Sequence, residues 1–192
     1  MPIPPAPTLE AWHDFYAAIG TFSATLLGAM FVVASIGSGF LTHERAEASR
    51  IFLTPVVVHL TTILLGCALT MAPGLDWRWL GVLLGAGSLA GCGYAGFVGL
   101  HVRRRPVDRD DRIWYGGLPV LAHAALLAAA VLALLAHPYC LDVLAAGLAL
   151  LLVASIRNAW DLILFFVRES APSRTDPPGP SEETAEDPSD LG

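Results

Sequence analysis

Arg157 and Asp161 stand one helical turn apart inside an apolar run, Ala154-Ser-Ile-Arg-Asn-Ala-Trp-Asp-Leu-Ile-Leu-Phe-Phe-Val167. At i and i+4 on a helix the two side chains can pair directly. Elsewhere in the chain His59 and His123 also fall within apolar runs. A buried arginine, aspartate and two histidines admit three chemistries. They can neutralise one another and fasten helices together. They can relay a proton or an ion, since histidine changes charge near neutral pH. The two histidines alone can serve as axial haem or metal ligands. Ionisable groups at such depth are costly and face a protein interior or a water-filled cavity.

These residues need elements long enough to carry them. The chain has 192 residues, is 55% hydrophobic and has a mean hydropathy of +0.60. A soluble domain of this length would expose too much of that apolar content. Five apolar runs account for it: Phe15–Leu41, Ile51–Ala72, Trp79–Leu100, Ile113–Ala136 and Leu141–Val167. Each reaches the roughly 20 residues that a helix needs to cross hydrocarbon. None shows the period-two alternation of a barrel strand. The expected fold is all-α, a polytopic transmembrane bundle of five spans over residues 15–167. Residues 1–14 form an external arm, and residues 168–192 a disordered cytoplasmic tail. The tail from Ser170 holds six acids against one arginine, so −5 of the net −6 lies there and the remainder is −1. Its five prolines and lack of aromatics leave it too little apolar surface to order itself.

The loop arginines set the orientation. The N-terminal arm has none. Loop one has Arg45 and Arg50, loop two only Arg78, loop three Arg103, Arg104, Arg105, Arg109 and Arg112, and loop four none, while Arg168 and Arg174 flank the last span. The N-terminus is expected outside and the C-terminus inside. Trp12, Tyr16, Trp77, Trp79, Trp114, Tyr115 and Tyr139 fall near span ends, as an aromatic belt would. Residues 1–11 show no basic n-region of a signal peptide.

At 1.5 Å per residue, His59 lies about 12 Å, His123 about 15 Å, Asp161 about 9 Å and Arg157 about 15 Å from the inner end of its span. All four share one layer, with Asn158 beside it on a neighbouring face. Pro55-Val-Val-Val-His59 and Pro119-Val-Leu-Ala-His123 echo each other. Pro55 and Pro119 each remove a backbone donor and tend to bend the helix. Small residues recur every four positions at Gly20, Ala24 and Gly28, and at Gly87, Gly91, Ala95 and Gly99. Such stripes permit close helix packing, within the chain or between copies.

Cys67, Cys92 and Cys140 have no metal-binding spacing. The first two are expected as small hydrophobes and Cys140 in a loop. No Gly-x-Ser-x-Gly, no His-Glu-x-x-His and no paired intramembrane carboxylates occur, so an enzyme is not expected. No cofactor and no metal are expected beyond the remote haem reading.

Four segments, Gly20-Thr-Phe-Ser-Ala-Thr-Leu-Leu-Gly28, Thr54-Pro-Val-Val-Val-His59, Gly116-Gly-Leu-Pro-Val120 and Ser155-Ile-Arg-Asn-Ala-Trp-Asp161, resemble those of a family of uncharacterised small bacterial integral membrane proteins. The resemblance covers roughly residues 12–165. It implies the bacterial cytoplasmic (inner) membrane and brings no activity with it. The expected role is structural or partner-binding around the His/Arg/Asp layer. The alternative is an oligomeric channel or proton-coupled carrier using that layer. Expected partners are the lipid bilayer, a second copy and another membrane protein, without nucleic acid.

Overall fold

The structure, a computed structural model, describes residues 9–38, 43–103 and 113–169. Helices make up the whole architecture of these residues: α1 (Leu9–Ser38), α2 (His43–Met71), α3 (Trp77–Arg103), a π-helical segment (Ile113–Gly117) leading into α4 (Leu118–Leu134), and α5 (Cys140–Glu169). The acidic tail from residue 170, the prolines before residue 9, and Arg104, Arg105, Arg109 and Arg112 lie outside the described residues.

Helices α1, α2, α3 and α5 are long and apolar enough to cross a membrane. Helix α4 has 17 residues and falls short alone. The five residues of the π segment carry the same path to the length of a span. That segment has a local cause. Pro119 offers no N–H to the preceding turn, and its ring crowds the carbonyl four residues back. A widened turn just before it relieves that clash. Two helices start earlier than their apolar runs. Helix α1 begins at Leu9 rather than Phe15, and α2 at His43, which places Arg45 and Arg50 on a helix instead of in a loop. Polar first turns can extend a helix beyond the part that needs lipid.

The turns are built from identifiable residues. After α2, Pro73 precedes Gly74, whose φ of 72° lies in the left-handed region that suits glycine. The Asp76 carboxylate then accepts from the Arg78 N–H at 3.3 Å and caps α3. Helix α4 ends with His137 N–H donating to Leu132 O (2.8 Å) and Ala136 N–H donating to Ala133 O (3.0 Å). This crossed pair is a Schellman cap, with Ala136 at φ 50° in the place glycine usually takes. Pro138 follows and blocks continuation. Cys140 is then the first residue of α5 and is buried, not in a loop as expected.

Helix α3 packs on α4, α4 on α5, α5 on α2, and α2 more lightly on α3. This closes a ring of four, with α1 laid against α2 and touching α5. Helices α2 and α4 face each other across the ring and make no backbone contact among the described residues. The buried core includes Val56, Leu60, Ile63, Leu126, Leu144, Leu148, Leu151 and Leu162. Large apolar side chains such as Phe22, Phe31, Leu89, Phe97 and Leu121 point outward, as they do in a protein solvated by lipid.

The small-residue stripes hold only in part. A Cβ on Gly20 would meet Cys67 of α2 at 3.2 Å, but nothing lies within 4 Å of one on Gly28, and Ala24 is exposed. The contact seam of α1 is Tyr16, Gly20, Ser23 and Met30, stepping by four, three and seven. On α3, Gly91 and Ala95 are buried and Gly99 lies against Gly116, whereas a Cβ on Gly87 would find open space. Steps of four advance about 40° around a helix of 3.6 residues per turn, so a strict stripe drifts off the contact. Tyr16 is also a correction. It is not an interfacial belt residue but 1% exposed, its hydroxyl donating to Leu141 O at 2.8 Å.

Candidate functional site

Helices α2 and α4 each carry a proline and, one turn later, a histidine on nearly the same face. Both histidines point into the ring axis, and both are buried. Their ring centroids lie 5.6 Å apart, with planes tilted by 56°. The shared depth expected from residue counting therefore holds for this pair. The echo between the two spans becomes a meeting of side chains across a gap that the backbones leave open.

The two histidines are held differently. His123 Nδ1 donates to Pro119 O at 2.8 Å. A carbonyl oxygen only accepts, so Nδ1 carries the proton, and the neutral ring keeps its lone pair on Nε2. The Cδ2–Nε2 edge lies over Gly91 of α3, where a Cβ would overlap the ring at both atoms. The Gly91 position in the small-residue stripe thus seats an imidazole as well as a helix. His59 has no such clamp. Neither of its ring nitrogens has a hydrogen-bond partner among the described residues, and His123 Nε2 has none either.

Asn158 and the ion pair exchange the places expected for them. Asn158 lies on the buried face of α5 with Ser155 and Leu162, 1% exposed, and neither its amide nitrogen nor its oxygen has a partner among the described residues. Arg157 and Asp161 do pair with each other through Nη1 and Oδ1. Their side chains, however, are 40% and 25% exposed, so the pair lies on the flank of α5 and not in the bundle interior. The helical repeat explains the exchange. Asn158 falls near the centre of the Ala154, Ser155, Leu151 and Leu162 face, and Arg157 is about 100° away from Asn158.

A buried serine was not singled out from the sequence. Ser23 of α1 is fully buried and donates to Leu60 O at 2.7 Å, next to His59. Ser155 donates to Leu151 O at 2.7 Å within its own helix, which leaves the neighbouring helices no hydrogen bond from its hydroxyl proton. The outer groups stay outside the centre. His13 contacts Asp14 at 3.2 Å on the exposed start of α1, and His137 accepts from the Tyr139 N–H in the α4–α5 turn.

The arrangement bears on cofactors. Among the described residues no group of three or more His, Cys, Asp and Glu is gathered to hold a metal ion. An axial haem pair would need a flat slot between the rings, with a nitrogen of each aimed into it. On the His123 side the Cδ2–Nε2 edge packs close to the Gly91 backbone of α3, which leaves no width there for a porphyrin plane. What these buried residues offer is a set of hydrogen-bonding atoms without partners among the described residues: two on His59, one on His123 and two on Asn158. Comparison of the chain with protein-family models, with curated proteins and with solved structures found no match.

Proposed function

We propose that this chain is a multi-pass protein of a bacterial cytoplasmic membrane, N-terminus outside and C-terminus inside, whose His59–His123–Asn158 centre is hydrated and passes protons. The helical, membrane-span-like bundle supports the first part. The bacterial location rests on the resemblance of its four segments, and the orientation on the arginine distribution. The observation that carries the proposal is that five buried polar atoms, on His59, His123 and Asn158 of three helices, have no hydrogen-bond partner among the described residues. A purely structural polar layer saturates its own hydrogen bonds, because each buried group left bare costs about 1–3 kcal/mol. Atoms left open in this way suit water, and water beside imidazole is a proton carrier.

The test is proton uptake into liposomes holding the purified protein, driven by an imposed potential and read with an internal pH dye. Uptake above that of empty liposomes, lost in His59→Leu, is the expected result. Uptake equal to empty liposomes at high protein loading would rule out passage.

A second reading, a structural or partner-binding membrane protein without enzymatic activity, has its own support. An ion pair on the flank of α5, beside the exposed Ile156 and Trp160, suits cover by a polar neighbour such as a second copy or another membrane protein. Cross-linking in native membranes, compared between the natural chain and Trp160→Ala, tests it.

A further inference from the structure

The two histidines are chemically unequal, and the inequality comes from residues outside the pair. His123 is fixed on two sides. Pro119 is the residue one turn before it, and its carbonyl takes the Nδ1 proton. Gly91, on another helix, lets the ring edge meet backbone without a side chain between them. His59 has neither constraint: both of its nitrogens are buried and lack partners among the described residues. The rings are 5.6 Å apart, close enough for a direct hydrogen bond after a small ring movement, or for one bridging water.

We propose that Gly91 and the Pro119 carbonyl lock His123 in one orientation and one tautomer, making its Nε2 a permanent acceptor, while His59 is the member that moves and exchanges protons. The inference rests on the proton-passing reading. The step balances as follows. A proton arrives on one nitrogen of His59, and an N–H bond forms there. The N–H bond on its other nitrogen breaks, and that proton passes to His123 Nε2, directly or across water. His59 is left neutral in its other tautomer and is reset by turning its ring. In His123, now doubly protonated, the new Nε2–H bond then breaks and its proton goes to a water molecule of the hydrated centre as hydronium, because Nδ1–H stays bound to the Pro119 carbonyl. Gly91 is in this account a positioning residue, acting only through His123.

Nitrogen-15 magnetic resonance of the full chain in lipid, with histidine labelled, reads the tautomers without any variant. His123 is expected to show a protonated Nδ1 and a bare Nε2, and His59 an exchanging mixture. In Gly91→Ala the His123 pattern should change and proton uptake should fall at least tenfold. Gly87→Ala, one turn away and facing open space, should keep both the natural spectrum and the natural uptake. If Gly91→Ala does not fold, His59→Gln supplies the second arm: the His123 spectrum is expected unchanged while uptake is lost. A protonated Nε2 on His123 in the natural chain, or a Gly91→Ala protein with natural spectrum and uptake, would overturn the inference. The expected spectrum without proton uptake in the natural chain would instead overturn the proton-passing reading, leaving His123 as a locked acceptor with no traffic.

Discussion

His59 and His123 bring their rings to 5.6 Å although the helices that carry them share no backbone contact. The contact is therefore made by side chains reaching across the axis of a four-helix ring. Packing between neighbouring helices does not require it.

That independence sets the first prediction. His59→Leu removes two buried polar atoms that have no partner among the described residues and replaces them with a side chain of similar reach. Such exchanges are close to neutral or stabilising, since no buried group is left bare. The variant should melt in detergent within about 1 kcal/mol of the natural protein, or above it, while losing proton uptake. A strongly destabilised His59→Leu would mark the pair as a structural pin.

Glycines separate by what faces them. A Cβ on Gly81 would lie 2.9 Å from the Ala130 carbonyl oxygen and 2.7 Å from Leu134 Cγ. Backbone cannot yield as a flexible side chain can, so Gly81→Ala should cost about 1–3 kcal/mol by overpacking. Gly28→Ala meets nothing within 4 Å and should be neutral. Equilibrium unfolding of the two variants side by side is the measurement.

Helix α1 is fastened by two buried hydrogen bonds, Tyr16 to Leu141 O and Ser23 to Leu60 O. Each is worth about 1 kcal/mol net, and removing the donor strands no other side chain. Tyr16→Phe and Ser23→Ala should each lower stability by about that amount. Because the bonds sit almost two helical turns apart on one seam, the double variant should be roughly additive and should raise proteolytic cleavage within α1 first. Cleavage elsewhere before α1 would show that this helix is held by other contacts.

Orientation is open to direct measurement. Arginines at residues 45, 50, 103 and 168 flank one set of ends, and the α4–α5 turn has none. Reporter fusions after α1 and α3 should read inside, and fusions after α2 and α4 outside. An external signal from a fusion at Gly192 would reject a five-span path.

Much of this was legible in the chain. Long apolar runs located every helix, because lipid demands continuous apolar length and continuous backbone pairing. Counting residues brought His59 and His123 to one layer, because rise per residue is fixed. Rotation about a helix was less legible. Asn158 turned inward and Arg157 outward because a single residue step is about 100°, and the apolar residues around both give little sign of which neighbours take which face. Tyr16 reads as an interfacial residue by its place near a span end, yet its hydroxyl finds the Leu141 carbonyl on a helix 125 residues later. The role of Gly91 was half visible. Its spacing marked close packing, but only the fold shows that an imidazole fills the space.

The flank position of Arg157 and Asp161 changes what their removal should do. Were both buried in the axis, stranding one charge would cost about 3–5 kcal/mol. At 40% and 25% side-chain exposure, water or headgroups reached by the long arginine share the load. Arg157→Ala should therefore cost less, at most about the 2.5–3.5 kcal/mol by which an aspartate is penalised at the centre of a membrane helix. Arg157→Met combined with Asp161→Leu should recover most of the loss, since no charge remains. Neither protein should lose proton uptake, because the pair stands on the flank while the two histidines and Asn158 hold the interior. Unfolding in detergent and uptake in liposomes, run on the same preparations, separate the two sites. Loss of uptake in the recovered double variant would move the ion pair into the proton path, and the flank would then be its mouth.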